Sequence, residues 1–333
     1  MHRHLAAWIV ALFSAAMLAA CQRSVSSVPA PAAASMARPA ASVPVDPASG
    51  ASAPTGGAVD DSKDALMREA FPAWKFDGEQ VLHVPDSERS AEYAESAIIA
   101  SHPAMVVKMD ATHRALVTVG RPSDEHGNDT ASHADSGAVG LYLFELRSGH
   151  WFETRAQDAA AWTGSFGQVG EIKAIDLGPG HPALFVTGSH TGQGETTVWA
   201  DVVEIEPSGA RIVLPGLQLH EDIFGDSSRD CQDWVNGLRQ PTAEELADEL
   251  DSRCQEVTGR WRIDPVGDSG RGDLVVVYTS HGVEVDPKTH LNAFVIADET
   301  VRYRYAASGY VKLGEPESSE PATAVSPPAS TPP

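Results

Sequence analysis

The chain has 333 residues, with 46 acidic residues against 24 lysines and arginines, so that its net charge at neutral pH is −22. Such an excess of negative charge repels phosphate backbones and anionic lipid headgroups, which argues against nucleic-acid binding and against membrane contact through a basic patch. An acidic binding surface and simple solubility are both compatible with this charge.

The first twenty residues have the features of an export signal. Arg3, between two histidines, precedes an apolar run from Leu5 to Met17 that is too short to span a bilayer. The run ends at Leu18-Ala19-Ala20-Cys21, where two small residues precede the cysteine. The pattern predicts a signal peptide over residues 1–20. An ordinary secretory signal with a chance cysteine after the cleavage site is the alternative.

Leu18-Ala19-Ala20-Cys21 resembles the lipobox of bacterial lipoproteins at all four positions. The resemblance implies that Cys21 becomes the mature N-terminus and carries lipid, including fatty acids such as palmitate. Two or more acyl chains are enough for stable anchoring. Gln22, rather than aspartate, follows the cysteine, which resembles an outer-membrane address in the enteric sorting pattern. The expected location is therefore the outer membrane facing the periplasm, with the cell surface as the alternative.

Two terminal segments lack the composition of a folded domain. Residues 21–62 and 315–333 are rich in Ala, Pro and Ser and contain no aromatic residue. They cannot bury enough apolar surface to offset the entropy of ordering, which predicts a disordered tether and a disordered tail. Residues 63–314 hold six of the seven tryptophans and are long enough for one large core, so they are predicted to form one β-rich globular domain.

Three stretches of this domain follow one plan: a strand, an Asp-bearing turn, an apolar strand, a loop with His and Gly, and another strand. The apolar strands are Leu116–Val119, Ala183–Val186 and Leu274–Tyr278. Their near-continuous hydrophobicity predicts strands that are covered on both faces and lie in the interior of a sheet. The predicted loops contain the three histidines His126, His190 and His281.

An Asp/Gly turn before a Leu-Val strand is similar to the FG-GAP and VCBS family of β-propeller-like repeats. The resemblance implies a mainly β fold of antiparallel meander repeats, arranged as a propeller-like or incomplete propeller structure. The calcium loops of that family are denser in aspartate than the sequence around Asp264, Asp268 and Asp273. No metal site is therefore predicted.

An insertion at about residues 219–259 shows helical periodicity. Thr242 and Glu245 form a capping box that predicts a helix extending to Cys254. Export leads to an oxidising compartment, and Cys231 and Cys254 are the only cysteines besides Cys21, which predicts a disulfide that closes a helical hairpin. A metal pair is the alternative, although no CxxC and no closely spaced His-Cys set accompanies these cysteines. The apolar face of the first predicted helix, over residues 230–238, consists of Cys231, Trp234, Val235 and Leu238.

The sequence contains no GxSxG, P-loop, HExxH or GxGxxG after a strand, so no catalytic residue and no cofactor is predicted. His126, His190 and His281 would form a ligand site if their loops converged on one face, and are otherwise turn residues beside glycine. Arg271-Gly272-Asp273 matches the Arg-Gly-Asp adhesion motif, but we interpret it as the turn before a buried strand. The tryptophans have no common spacing and are interpreted as packing residues rather than as a sugar-binding platform.

Two functional hypotheses follow. The first is a membrane-anchored envelope lipoprotein with a non-enzymatic binding or accessory β-domain that contacts an envelope protein or a cell-wall component. The second is a hydrolase of envelope polymers that uses a pair of Asp or Glu carboxylates, which would leave no local sequence motif. The lack of a catalytic motif favours the first hypothesis.

Overall fold

The computed structural model describes residues 59–75, 78–89, 98–192, 195–223, 228–245, 254–267, 269–285 and 292–314. Cys21, the predicted signal peptide, the tail and all but the last four residues of the predicted tether lie outside these residues. The same holds for residues 246–253, in which most of the second predicted helix falls.

The first sheet is a five-stranded antiparallel meander in the order β1-β2-β3-β4-β5, with a 3₁₀ helix (Asp86–Glu88) between β1 and β2. The segment Leu116–Val119 lies on the central strand. A helix, α1 (Lys63–Ala70), covers one face and buries Leu66 and Met67 beside Leu116. The strands are β1 (Gln80–His83), β2 (Ile98–Lys108), β3 (His113–Pro122), β4 (Gly137–Arg147) and β5 (His150–Thr163).

The second sheet has eight antiparallel strands in the order β13-β12-β11-β10-β9-β8-β7-β6, which is again a meander. It continues across the helical insertion, because the end of β9 pairs with the start of β10. The strands are β6 (Ile172–Asp176), β7 (Pro182–Gly192), β8 (Glu195–Glu206), β9 (Gly209–Ile223), β10 (Gln255–Val266), β11 (Gly272–Val285), β12 (Asn292–Tyr305) and β13 (Tyr310–Lys312).

Strand β7 belongs to two cores at once. Leu184 and Val186 pack against the first sheet in a cluster that we call core 1, which includes Val117 of β3. Ala183 and Phe185 point the other way, into a cluster that we call core 2, formed by residues of the second sheet alone. Alternation along a strand places successive side chains on opposite faces, so burial of all four confirms the predicted two-sided covering. The same holds for Leu274 to Val276, three successive residues with 0% exposure, whereas Val277 and Tyr278 at the end of the predicted strand are half-buried.

Core 2 shows that the second sheet bends strongly. Phe185 on β7 stacks on Trp261 on β10 with ring centroids 4.1 Å apart. Three inter-strand steps separate these strands, which would be about 14 Å in a flat sheet. The half formed by β10 to β13 therefore folds back against β7 to β9 and encloses an apolar core between the two halves.

The insertion contains the predicted disulfide. Cys231 lies on α2 (Ser228–Val235) and is bonded to Cys254, with a Cα–Cα distance of 5.3 Å. The capping box also forms: the backbone N–H of Thr242 donates to Glu245 Oε2 at 2.6 Å, and that of Glu245 donates to Thr242 Oγ1 at 3.3 Å. Leu238 is 73% exposed, so its placement on the buried helix face was wrong. The helix ends at Val235, before a glycine with φ of +67°.

The structure confirms a mainly β, antiparallel domain and does not confirm the propeller-like arrangement. Each stretch of the predicted repeat supplies adjacent strands, but the second and third stretches share one continuous sheet instead of forming separate blades. The insertion is shorter than predicted, since β9 extends to Ile223 and β10 begins at Gln255. The folded part begins before residue 63, because Asp61 pairs with Arg114 at 2.8 Å.

Candidate functional site

A groove of about 560 Å³ opens at one side of core 2, and we call it the tyrosine groove. Its floor comes from three adjacent strands, in which Gly259, Tyr278 and Glu299 are register neighbours and Val257, Ser280 and Ala297 form the next row. Register neighbours share one face of a sheet, so all of these residues face the groove. The rest of the lining is Gly216, Gln218, Gln255, Val301, Tyr303 and Lys312.

Tyr278 is held in a defined position within the groove. A Cβ atom at Gly259 would lie 2.9 Å from the Tyr278 ring, so the absence of a side chain at 259 leaves room for the ring. The phenol donates a hydrogen bond to the carbonyl oxygen of Gln218 at 3.0 Å. Burial, together with Tyr303 and the Glu299 carboxylate, raises the pKa of Tyr278. The hydroxyl therefore stays protonated at neutral pH.

A set of ionic contacts around one buried glutamate, which we call the Glu204 cluster, lies on the opposite side of core 2. Arg271 donates from Nε at 2.8 Å and from Nη2 at 2.6 Å to Oε1 of Glu204, whose side chain is 0% exposed. Arg211 and Tyr305 donate to Oε2 at 3.1 and 3.2 Å, and His181 Nδ1 donates to Oε1 at 3.0 Å. The Arg271 guanidinium also lies 4.1 Å from the Tyr305 ring centroid.

These contacts provide hydrogen-bond donors to both carboxylate oxygens of Glu204. We therefore interpret the Glu204 cluster as a set of contacts that stabilise the folded domain. It also explains the Arg271-Gly272-Asp273 tripeptide. Arg271 is bound to Glu204, and Asp273 is paired with Arg302 and Arg304, so that both charged groups of the tripeptide are engaged within the fold. The interpretation as a turn before a buried strand is confirmed, since β11 begins at Gly272.

The three histidines of the predicted ligand loops do not converge. His126 lies in the loop after β3, whereas His190 and His281 lie within strands β7 and β11, which corrects their placement in loops. His281 Nδ1 donates to the carbonyl oxygen of Val235 on α2 at 3.0 Å. His190 is exposed on β7, and three strands, β8, β9 and β10, separate it from His281 on β11.

The two buried carboxylates of β8 do not form a catalytic pair. Asp201 pairs in register with Val186 of core 1 and accepts from the backbone N–H of Gly216 at 2.8 Å. Glu204 pairs with Ala183 of core 2 and lies on the other face of the strand. Burial raises the pKa of Asp201. A hydrolase mechanism would need both carboxylates to flank one substrate bond, which these two cannot do.

The tryptophans are packing residues, as the sequence predicted. Trp74, Trp151 and Trp234 are buried, and Trp261 stacks in core 2. The aromatic residues of the groove are instead tyrosines. Their sequence signal is weak, because Tyr278 and Tyr303 sit in apolar or charged strands and are not register partners: Tyr278 pairs with Glu299 and Tyr303 with Leu274.

Within the described part of the chain, no group of three or more His, Cys, Asp or Glu side chains is arranged to hold a metal ion. None of the helices described there is long and apolar enough to cross a membrane. Comparisons with protein-family models, with curated proteins and with solved structures give no match to this chain. Fold and site together define a bent, two-sheet antiparallel protein with a polar, tyrosine-lined groove.

Proposed function

We propose that this protein is a lipid-anchored binding protein of the bacterial envelope, and that its β-domain binds an envelope protein or a cell-wall component in the tyrosine groove. The domain acts by binding and not by catalysis. The anchor is the lipid on Cys21, and the tether allows the domain to stand off the outer membrane.

One observation carries the binding role: the groove presents polar side chains to water beside fixed aromatic rings. Glu299 is exposed, and Gln255, Ser280 and both tyrosines are half-buried on one face of β10 to β12. Concave sites that combine an aromatic surface with a few placed polar groups are the usual form of ligand sites. The Glu204 cluster shows the contrast, because its charged groups already bind one another.

The lipid anchor is tested by growing the native host with labelled palmitate. We expect label in the wild-type protein and its recovery with membranes, because the lipobox places a lipidated cysteine at position 21. The variant Cys21→Ser should lose both the label and the membrane fractionation. Equal labelling of the variant would contradict the anchor.

The binding role is tested by recovering partners of the full chain from envelope extracts. We expect the wild-type chain to recover a partner, either a protein or a cell-wall fragment, and the double variant Gln255→Ala/Glu299→Ala to lose it. Thr300→Ala is the matched control, because Thr300 follows Glu299 and points to the opposite face of β12. A partner that is retained by the double variant would place binding outside the groove.

A further inference from the structure

We infer that the ligand of the tyrosine groove is a neutral glycan chain, recognised through its hydroxyl groups and through the apolar faces of its sugar rings. This inference rests on the proposed binding role and names the chemical class of the ligand. The groove lies on the face of a fully paired sheet, and its side chains set what it can bind.

The backbone of the groove floor is not available to a ligand. Strand β11 pairs with β10 on one side and with β12 on the other throughout the floor, so its N–H and C=O groups are used in the ladders. A peptide that binds by strand addition needs an open strand edge. Recognition in the groove therefore depends on side chains.

The aromatic part of the lining suits sugar rings. Tyr278 is fixed by its hydrogen bond to the backbone of Gln218 and by the space over Gly259, so little side-chain entropy is lost when a ligand packs on it. Tyr303 adds a second ring in the same groove. A tyrosine ring offers an apolar face with a polar hydroxyl at its edge, which matches a sugar ring with C–H groups on its face and hydroxyls around it.

The polar part of the lining suits hydroxyl groups. Gln255 and Ser280 can each donate and accept a hydrogen bond, and the Glu299 carboxylate accepts. The charged residues of the groove are one glutamate and one lysine, Lys312, so the groove is close to neutral in a chain with a net charge of −22. This balance favours a neutral ligand over a polyanion.

The apolar part of the lining argues against a protein partner. It consists of the small side chains of Val257, Ala297 and Val301. Protein interfaces depend on a few large anchor side chains that fill desolvated pockets. Small apolar surfaces between polar groups instead fit the methyl and C–H groups of a glycan.

The inference is tested by calorimetric titration of the full chain in detergent with the tetramer of N-acetylglucosamine. We expect saturable binding, and each of the variants Gln255→Ala and Glu299→Ala should weaken it about tenfold, as for the loss of one hydrogen bond. Thr300→Ala should bind like the wild type, since it lies on the other face of β12. Circular dichroism shows whether each variant is folded.

Two outcomes would overturn the inference. The first is the absence of binding to the tetramer by the folded wild-type chain, and the second is equal binding by Glu299→Ala and Thr300→Ala. If either occurs while a protein partner from envelope extracts still depends on Gln255 and Glu299, the groove is a protein-binding site. The proposed binding role would then stand with a different ligand class.

Discussion

The Glu204 cluster and the tyrosine groove lie on either side of core 2. The polar residues of the cluster bind one another, whereas those of the groove face water. The chain passes from Arg271, which directly precedes β11 and binds Glu204, through Leu274 and Val276 of core 2 to Tyr278 in the groove. Glu204 has no exposed side-chain surface and is bound by two arginines, a tyrosine and a histidine. Glu299 is exposed to water.

Polar residues in a strand can therefore be distinguished by the groups that surround them. A buried carboxylate is tolerated only when charged partners compensate its lost hydration, so the Glu204 cluster is fixed by the needs of the fold. The side chains of the groove have not been withdrawn from water in this way. They remain able to exchange water for a ligand, which is what a binding site requires.

A charge placed in core 2, between the two sites, should destabilise the domain most strongly. Val276→Asp would bury an unpaired carboxylate in core 2, where Val276 is 0% exposed, and should cost more than about 4 kcal/mol or abolish folding. Val257→Asp is the matched control, because Val257 lies on the same sheet face but lines the groove and is half-buried. Circular dichroism and urea unfolding should show that the Val257→Asp variant is folded. Equal loss of folding in both variants would mean that the groove is as closed as the core.

The second prediction concerns the Glu204 cluster itself. Glu204→Ala would leave Arg271 and Arg211 without their buried partner and should reduce the free energy of unfolding by about 3–4 kcal/mol. Glu206→Ala, two residues along β8, removes a partly exposed partner of Arg211 and should cost less than about 1 kcal/mol. Urea denaturation measures both. If both variants lost a similar free energy of unfolding, the burial of Glu204 would not explain the strength of its contacts.

The sequence predicts the β architecture well because hydrophobic patterning is local. Four-residue runs such as Ala183–Val186 are buried on both faces, and this can be seen without knowing the neighbouring strands. The disulfide and the capping box also depend on few residues. In contrast, α1 was not predicted, and its Ser62 cap, which accepts from the N–H of Ala65, sits at the end of a low-complexity stretch.

The two sites could not be predicted from the sequence, because each joins residues that are distant along the chain. Glu204 meets Tyr305 only after the second sheet bends, and nothing local in the strand Val202–Ile205 identifies its partners. The bend depends on how two halves of a sheet pack, not on periodicity. The propeller interpretation is not confirmed for a related reason: the repeat describes strand order but not whether successive meanders share hydrogen bonds.

The third prediction concerns the disulfide, which joins α2 to the residue that precedes Gln255 in the groove. Reduction, or Cys231→Ser with Cys254→Ser, should destabilise the domain by ~3 kcal/mol, because it frees a loop with a sequence separation of 23. Hydrogen exchange should show the largest loss of protection at the start of β10, next to Cys254. Titration of two free thiols in the denatured, unreduced protein would contradict the pairing.

The last prediction concerns alanine variants of the three histidines that the sequence analysis grouped together, which should change stability only slightly. His281→Ala removes the hydrogen bond to the carbonyl oxygen of Val235, which links β11 to α2, and should cost about 1 kcal/mol. His126→Ala and His190→Ala change exposed side chains and should alter the melting temperature by less than about 2 °C, within the usual range for surface substitutions. Thermal unfolding of the three variants measures this difference. Equal shifts for all three would restore the interpretation that they occupy equivalent positions, whereas a loss confined to His281 shows that strand register and the insertion, not a repeat, determine their surroundings.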